Sequence, residues 1–241
     1  MAGMEPFGLS GILMAAGVFA RLYGGRARSR AALWGTAPLL PAGSLPQGER
    51  TAVCGTATSP WPGNGPVSGR PCLFYHHVLE RLDVRGTGSS RRREWRLVLD
   101  SLWGGFFIVD GTARVLVLPR GATMASYTHE KKSSTGLGLV EGDERSLERR
   151  FEEGDAVFAV GTPRSLTEAV ERLRERPEEA ALPPELVKAL VKAAEEGDRT
   201  LCLFADGGPF VVGAGEHAAW LAGVRSSGDS AVVGGYFLVG A

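Results

Sequence analysis

Hydrophobic and polar positions alternate with a period of two along much of this chain, which predicts a fold built mainly from β-strands. The clearest example is the stretch from Val67 to Arg81. It begins among turn-forming glycine and proline residues and continues as a run of β-branched and aromatic residues. Both rows of alternate side chains in this run are substantially apolar. We therefore expect a central strand that is covered on both faces.

Similar patterns predict the neighbouring elements. Glu94–Leu102 alternates in polarity and is typical of a half-buried strand. An Asp110-Gly111 turn between two apolar runs predicts a β-hairpin. Glu144–Glu153 has instead the composition of a helix that stops at Gly154. The predicted fold is mainly β (α+β), an antiparallel barrel-like or curved sheet of roughly six to nine strands.

One part of the chain has a helical period. Leu166, Val170 and Leu173 have the spacing of one helix face, and a second apolar stripe follows a pair of prolines. These two segments predict a helical insertion in the β domain. The predicted organisation is a membrane anchor with a basic flank at 1–30, a proline-rich connector at 31–48, a β domain at 49–213 with its helical insertion at 165–197, and an apolar segment at 214–241.

The N-terminal segment has the features of a membrane helix. No charged residue occurs between Glu5 and Arg21, and Arg26, Arg28 and Arg30 follow. Arginines on this side place the N-terminus outside and the main domain in the cytoplasm. Its small residues would allow self-association through the anchor helix. The alternative is a buried helix of a soluble domain. The apolar segment at 231–241 is either a core strand or a second membrane segment.

Composition excludes several classes of function. Twenty-seven basic residues balance twenty-seven acidic ones, which argues against a nucleic-acid-binding protein. The three cysteines form no CxxC pair, so the sequence encodes neither a zinc ribbon nor a RING. His76 and His77 are adjacent on a predicted strand and point to opposite faces, so they cannot chelate one metal together. Phosphate-binding, dinucleotide-binding and hydrolase motifs are absent from the sequence. We expect no cofactor, no metal site and no catalysis.

The most specific motif is GPVSGRPC at Gly65–Cys72, followed by the aromatic strand. Trp95 after a charged loop, FFIVDGTARVLVLP at Phe106–Pro119 and an EGD triplet at 153–155 come later. Together they resemble the beside-a-membrane domain, also called the GIDE domain, of organelle ubiquitin and SUMO ligases. The resemblance implies a membrane-anchored sensing or substrate-binding region. In those ligases a RING carries out catalysis, and this sequence contains none.

The preferred function is therefore a membrane-tethered, non-catalytic interaction or scaffold domain. One alternative is an accessory subunit of a ligase-like or other enzyme acting in trans, and another is a small-ligand-binding β-barrel. The expected partners are membrane lipids and an unidentified protein. The arginine cluster either contacts acidic lipid headgroups or forms a solvated hairpin tip. The candidate partner-binding residues are Arg70, Tyr75, His77, Arg91, Arg92 and Arg93.

Overall fold

The computed structural model describes residues 36–86, 91–136, 140–175, 182–224 and 226. These residues are mainly β, as the sequence predicts. Leu39–Glu216 forms one compact unit. The predicted anchor at 1–30 and the apolar segment at 231–241 lie outside the described residues. In the part of the chain that the structure describes, no helix is long and apolar enough to cross a membrane.

Fourteen strands, a short 3-10 helix and two longer helices make up the compact unit in the described ranges. The 3-10 helix spans Ala42–Ser44, helix α1 spans Leu166–Glu175 and helix α2 spans Pro184–Glu195. The strands are β1 (Thr51–Thr58), β2 (Gly63–Asn64), β3 (Pro71–Cys72), β4 (Phe74–Arg85), β5 (Arg92–Gly104), β6 (Phe106–Val109), β7 (Arg114–Val117), β8 (Thr123–Met124), β9 (His129–Ser134), β10 (Glu144–Phe151), β11 (Ala156–Gly161), β12 (Arg164–Ser165), β13 (Leu201–Leu203) and β14 (Val211–Ala214).

The strands form three sheets. The largest has the order β12-β13-β7-β6-β1-β11-β14-β8, the second has the order β5-β4-β10-β9, and β2 pairs with β3. In the largest sheet β13 runs parallel to β7 and β14 parallel to β8, so this sheet is mixed. Its two-residue end strands, β12 and β8, do not pair with each other. The described residues therefore form open sheets and no closed barrel, which corrects the barrel-like alternative of the predicted fold.

The hydrophobic core lies on both faces of the largest sheet. Phe106 and Ile108 of β6 belong to one buried cluster, whereas Phe107 between them belongs to the other. Successive side chains of a strand point to opposite faces, so β6 is covered on both sides. The second cluster packs this sheet against helices α1 and α2, through Leu166 and Leu186 among others. The hairpin of β6 and β7 is thus buried on both faces.

The stretch predicted to be the central strand has a different role. Cys72 belongs to the short β3, and β4 begins only at Phe74, in the four-stranded sheet. Residues 75–80 of β4 are only half-buried. The expectation of a strand covered on both faces was therefore wrong. Charged side chains of the neighbouring strand β10, including Arg145 and Arg149, lie opposite β4 and keep this sheet partly solvated.

The segment predicted as a helix at Glu144–Glu153 is instead strand β10. Its charges have partners on the strands at either side. Arg145 bonds Glu80 of β4, and Arg149 bonds Glu130 of β9. These cross-strand contacts override the helix propensity of a Glu- and Arg-rich segment. Strand β5 is also more exposed than the half-buried strand that its pattern predicts.

Local signals predicted the helices and the hairpin well. Helix α1 begins where expected, and the Ser165 hydroxyl accepts a 3.2 Å hydrogen bond from the backbone N–H of Glu168. The Asp110-Gly111 turn joins β6 to β7 as predicted. Its Asp110 carboxylate accepts a 2.6 Å hydrogen bond from the backbone N–H of Ala42. Residues 39–48 accordingly pack onto the domain, with Ala42 and Leu45 buried in the core.

Gly104 is expected to tolerate a side chain far less well than Gly111. Both residues have positive φ, at 96° and 85°. A Cβ at position 104 would overlap the carbonyl oxygen of Leu73, whereas a Cβ at 111 meets open space. We expect Gly111→Ala to lower the free energy of unfolding by about 1 kcal/mol and Gly104→Ala by about 2 kcal/mol more. Urea unfolding followed by tryptophan fluorescence measures both variants. Equal losses would contradict the close approach at Gly104.

Candidate functional site

Three of the predicted partner-binding residues lie at one end of the four-stranded sheet. Tyr75 and His77 are alternate residues of β4 and share a face, and both are half-buried. The Tyr75 ring stacks on Trp103 of β5, with ring centroids 5.4 Å apart. The His77 Nε2 atom lies 3.2 Å from the Ser146 hydroxyl of β10. Arg70 is exposed in the turn that precedes β3.

The other three residues lie at the opposite end of the sheet. Arg91, Arg92 and Arg93 are exposed where β5 begins. Tyr75 pairs with Trp103, whereas Arg93 pairs with Val84, nine residues further along β4. At about 3.3 Å per residue, the two groups are separated by roughly 30 Å. The structure therefore does not bring the six predicted residues into one surface.

A buried carboxylate fixes the turn at 65–70. The Glu148 side chain of β10 is fully buried. It accepts hydrogen bonds from the backbone N–H groups of Val67 and Ser68, at 2.6 and 2.9 Å, and one of 2.6 Å from the Ser68 hydroxyl. The Arg150 guanidinium donates a further bond of 3.0 Å. The motif that carries the family resemblance is thus folded around this one side chain.

The close fit of the turn explains a glycine of the motif and the ionisation of the carboxylate. A Cβ on Gly65 would overlap the Glu148 carboxylate. Burial by itself raises the pKa of Glu148, but hydrogen bonds from Ser68 and Val67 and the charge of Arg150 outweigh it and hold the pKa below its usual value. Glu148 is therefore ionised at neutral pH.

The buried thiol beside this cluster is unreactive. Burial, with a further contribution from the Glu148 charge, raises the pKa of Cys72 to about 12. A thiol with this pKa is protonated at neutral pH and is a poor nucleophile. Cys72 therefore packs in the core.

The opposite half of β4 and β5 forms a second feature, which we call the arm and define as residues 80–86 and 91–99. The register between the two strands shifts between Leu79 and Glu80, because Val98 is an extra residue on β5. This is a β-bulge. Next to it Leu97, Val98 and Leu99 are 60%, 48% and 42% exposed. The arm therefore combines consecutive exposed apolar residues with the arginines at its end.

The structure also assembles a polar chain that the sequence did not reveal. The His76 Nε2 atom lies 2.7 Å from the Asp100 carboxylate, and its Nδ1 atom lies 2.9 Å from the Tyr127 hydroxyl. Burial raises the pKa of Tyr127 to about 12, although the charge of Arg149 opposes the shift. Tyr127 therefore remains a hydrogen-bond donor at neutral pH. The chain is suited to orienting Asp100, not to generating a nucleophile.

A cavity of about 740 Å³ opens beside Asp100. Helix α1 contributes Arg172 and Leu173 to its wall. The remaining lining is largely apolar, apart from Asp100, Ser101 and Arg120. The volume is that of a small-molecule site. Within the described ranges, no group of three or more His, Cys, Asp or Glu side chains is placed to hold a metal ion.

Comparison of this chain with models of protein families, with curated proteins and with solved structures finds no match.

Replacing Glu148 is expected to destabilise the domain in a pH-dependent way. A depressed folded-state pKa contributes stability that is present above the unfolded pKa, near 4.3, and is lost as pH falls through the folded value. Glu148→Gln should lower the free energy of unfolding at pH 7 by about 3 kcal/mol, because Arg150 loses its buried partner. The variant should also lose less stability than the wild type as the pH falls from about 5 to about 3, through and below the unfolded pKa.

Urea unfolding across this pH range provides the measurement. The control is Glu185→Gln, which removes an exposed carboxylate on helix α2. It should change stability by less than about 0.5 kcal/mol. A Glu148→Gln variant with the pH profile of the wild type would show that the buried carboxylate does not stabilise the turn.

Proposed function

We propose that this chain is a membrane-tethered, non-catalytic interaction domain of the beside-a-membrane type, with its N-terminus outside and its β domain in the cytoplasm. The observation that carries the proposal is the exposed centre of β5. Five large hydrophobic residues are exposed among those described, and Leu97, Val98 and Leu99 are three of them. Leu97 and Leu99 point to opposite faces of the sheet, because their partners Glu80 and Leu79 are adjacent residues of β4. Single exposed apolar residues are ordinary, but three consecutive ones on an edge strand favour an interaction site along that edge.

The position of this group supports a binding role. Strand β5 is the edge strand of the four-stranded sheet, and its outer edge has no neighbouring strand among the residues that the structure describes. Along the strands, the polar cluster at Glu148 fixes the end of this sheet that lies away from the arm. The arm is thereby attached to a well-packed base and presents its apolar residues outwards. The tether itself rests on the sequence of residues 7–23 and on the arginines that follow.

A second candidate function is the binding of a small ligand. The cavity beside Asp100 and the orientation of that carboxylate by His76 favour it. Arg120 and Arg172 suit an acidic ligand group, and the apolar wall suits a hydrocarbon chain. The third hypothesis, an accessory subunit of a ligase-like enzyme acting in trans, rests on the family resemblance alone.

Alkaline carbonate extraction of membranes tests the tether. The full chain should remain in the pellet, and a variant that begins at Thr36 should be soluble and folded. Truncation at this residue retains Leu39–Leu45, whose packing onto the core a later start would remove. Circular dichroism checks that the short variant is folded. Release of the full chain by carbonate would contradict the proposed tether.

A thermal-shift measurement with a series of straight-chain fatty acids tests the second candidate. A bound ligand raises the melting temperature because it binds only the folded state. We expect the increase to be smaller for Arg120→Gln and unchanged for Arg199→Gln, an exposed arginine outside the cavity. If no chain length raises the melting temperature of the wild type, the cavity does not bind this class of ligand.

A further inference from the structure

The arm carries a concentration of positive charge in a chain of zero net charge. The arm contains six arginines and three acidic residues, Glu80, Asp83 and Glu94. Glu80 is paired with Arg145 of β10, outside the arm. Asp83 is already paired with two of the arginines, Arg85 at 3.0 Å and Arg96 at 2.8 Å. The arm therefore has more cationic groups than its own carboxylates can neutralise.

The uncompensated charges lie together at the start of β5. Arg81 has a partner in Glu144 of β10. For Arg91, Arg92 and Arg93, by contrast, the described ranges contain no carboxylate within 4 Å of the guanidinium groups, and all three side chains are exposed. Three arginines are consequently available to an external anion.

Apolar side chains follow the arginines along the same strand. Leu97, Val98 and Leu99 are exposed, and Trp95 lies between them and the arginines in sequence. Leu97 and Leu99 point to opposite faces, so the three residues border the outer edge of β5 and would meet a lipid surface along that edge. The Arg145 guanidinium covers the Trp95 ring at 4.4 Å from its centroid. Exposed apolar residues next to unpaired cations are typical of segments that lie in a membrane interface, where the first enter the acyl boundary and the second contact acidic headgroups.

The bulge argues against another strand as the occupant of this edge. Strand addition requires a regular row of backbone donors and acceptors along the exposed edge. The extra residue at Val98 interrupts the ladder at the centre of the apolar group, and such bulges are a common means of preventing edge pairing. A lipid surface needs no such ladder, and acidic headgroups complement the three arginines.

We propose that the arm binds the surface of an anionic phospholipid membrane, with Arg91, Arg92 and Arg93 on the headgroups and Leu97, Val98 and Leu99 at the acyl boundary. This inference rests on the proposed tether for its orientation, since the anchor would keep the arm close to one leaflet. The proposal identifies acidic lipid as the partner of the predicted binding residues Arg91, Arg92 and Arg93. Tyr75 and His77 are not part of this lipid-binding surface.

The expected contribution of the arginines is large enough to measure. Each arginine near an anionic leaflet contributes on the order of 1 kcal/mol, which is about a fivefold change in a binding constant. Replacing all three by serine should therefore shift the equilibrium between the bound and the free arm by roughly a hundredfold. The effect should weaken as salt concentration rises, because the charges are exposed.

The experiment uses the full chain with an environment-sensitive fluorophore on Val98→Cys, in a Cys54→Ser background. Cys72 and Cys202 are buried and should not react with the label. The protein is mixed with vesicles of phosphatidylcholine alone or with added phosphatidylserine. Flotation measures attachment of the whole chain, and quenching of the fluorophore by nitroxide-labelled lipid measures contact of the arm.

If the tether and the arm both act as proposed, the chain floats with both kinds of vesicle, and position 98 is quenched only when phosphatidylserine is present. The triple change Arg91→Ser, Arg92→Ser and Arg93→Ser should abolish the quenching but not the flotation. The matched control is Arg174→Ser, Lys188→Ser and Arg199→Ser, which removes three exposed cationic residues outside both the arm and the cavity and should leave both signals unchanged.

Other outcomes separate the two proposals. Flotation without quenching in either vesicle would retain the tether and overturn the arm assignment. Flotation with phosphatidylserine vesicles alone, lost in the triple variant, would support the arm and overturn the tether. In neutral vesicles, the fluorophore at position 98 could report an apolar environment without quenching by the labelled lipid. If this signal grows with protein density, a second copy of the chain covers the arm, and the lipid assignment is overturned.

Discussion

The charge of Glu148 can be buried in this fold only because four donors converge on it. Two backbone N–H groups and a hydroxyl come from the turn at Val67 and Ser68, and a guanidinium comes from Arg150 two residues along β10. Loss of any partner would leave a buried charge partly unsatisfied, at a cost of several kcal/mol. The conformation of the turn, the position of β3 and the packing of β10 against β4 are therefore coupled through one carboxylate.

The four-stranded sheet is consequently divided into a fixed end and an exposed end. Aromatic stacking of Tyr75 on Trp103 and the Glu148 cluster define the first. Beyond the bulge the strands carry ion pairs such as Asp83 with Arg96, and β5 begins with three exposed arginines. The residues that the sequence analysis predicts to form one partner-binding surface are thus divided between the two ends. Tyr75 and His77 belong to the packed base, whereas the arginines at 91–93 are available to a partner.

Sequence patterns predicted the elements whose causes are local. The Asp110-Gly111 hairpin and the Ser165 cap of helix α1 depend on neighbours within a few residues. Strand β10 was mistaken for a helix because its partners are distant, with Arg145 and Glu80 lying 65 positions apart. The alternation of Glu148, Arg150 and Glu152, which pair in the structure, was the one local sign of a strand. The contact of His76 with Asp100 and Tyr127 joins three separate segments and has no local signature.

The order of strands in the largest sheet has a consequence for the growing polypeptide. Strand β14, the last in the described chain, lies between β11 and β8. In the described ranges β14 is the one neighbour of β8 in this sheet, and β8 is synthesised some ninety residues before this partner at Val211. Until that partner leaves the ribosome, the edge of β11 is also unsatisfied on that side. Completion of this sheet therefore waits for the synthesis of β14, and the open edge is the segment that chaperones would need to protect.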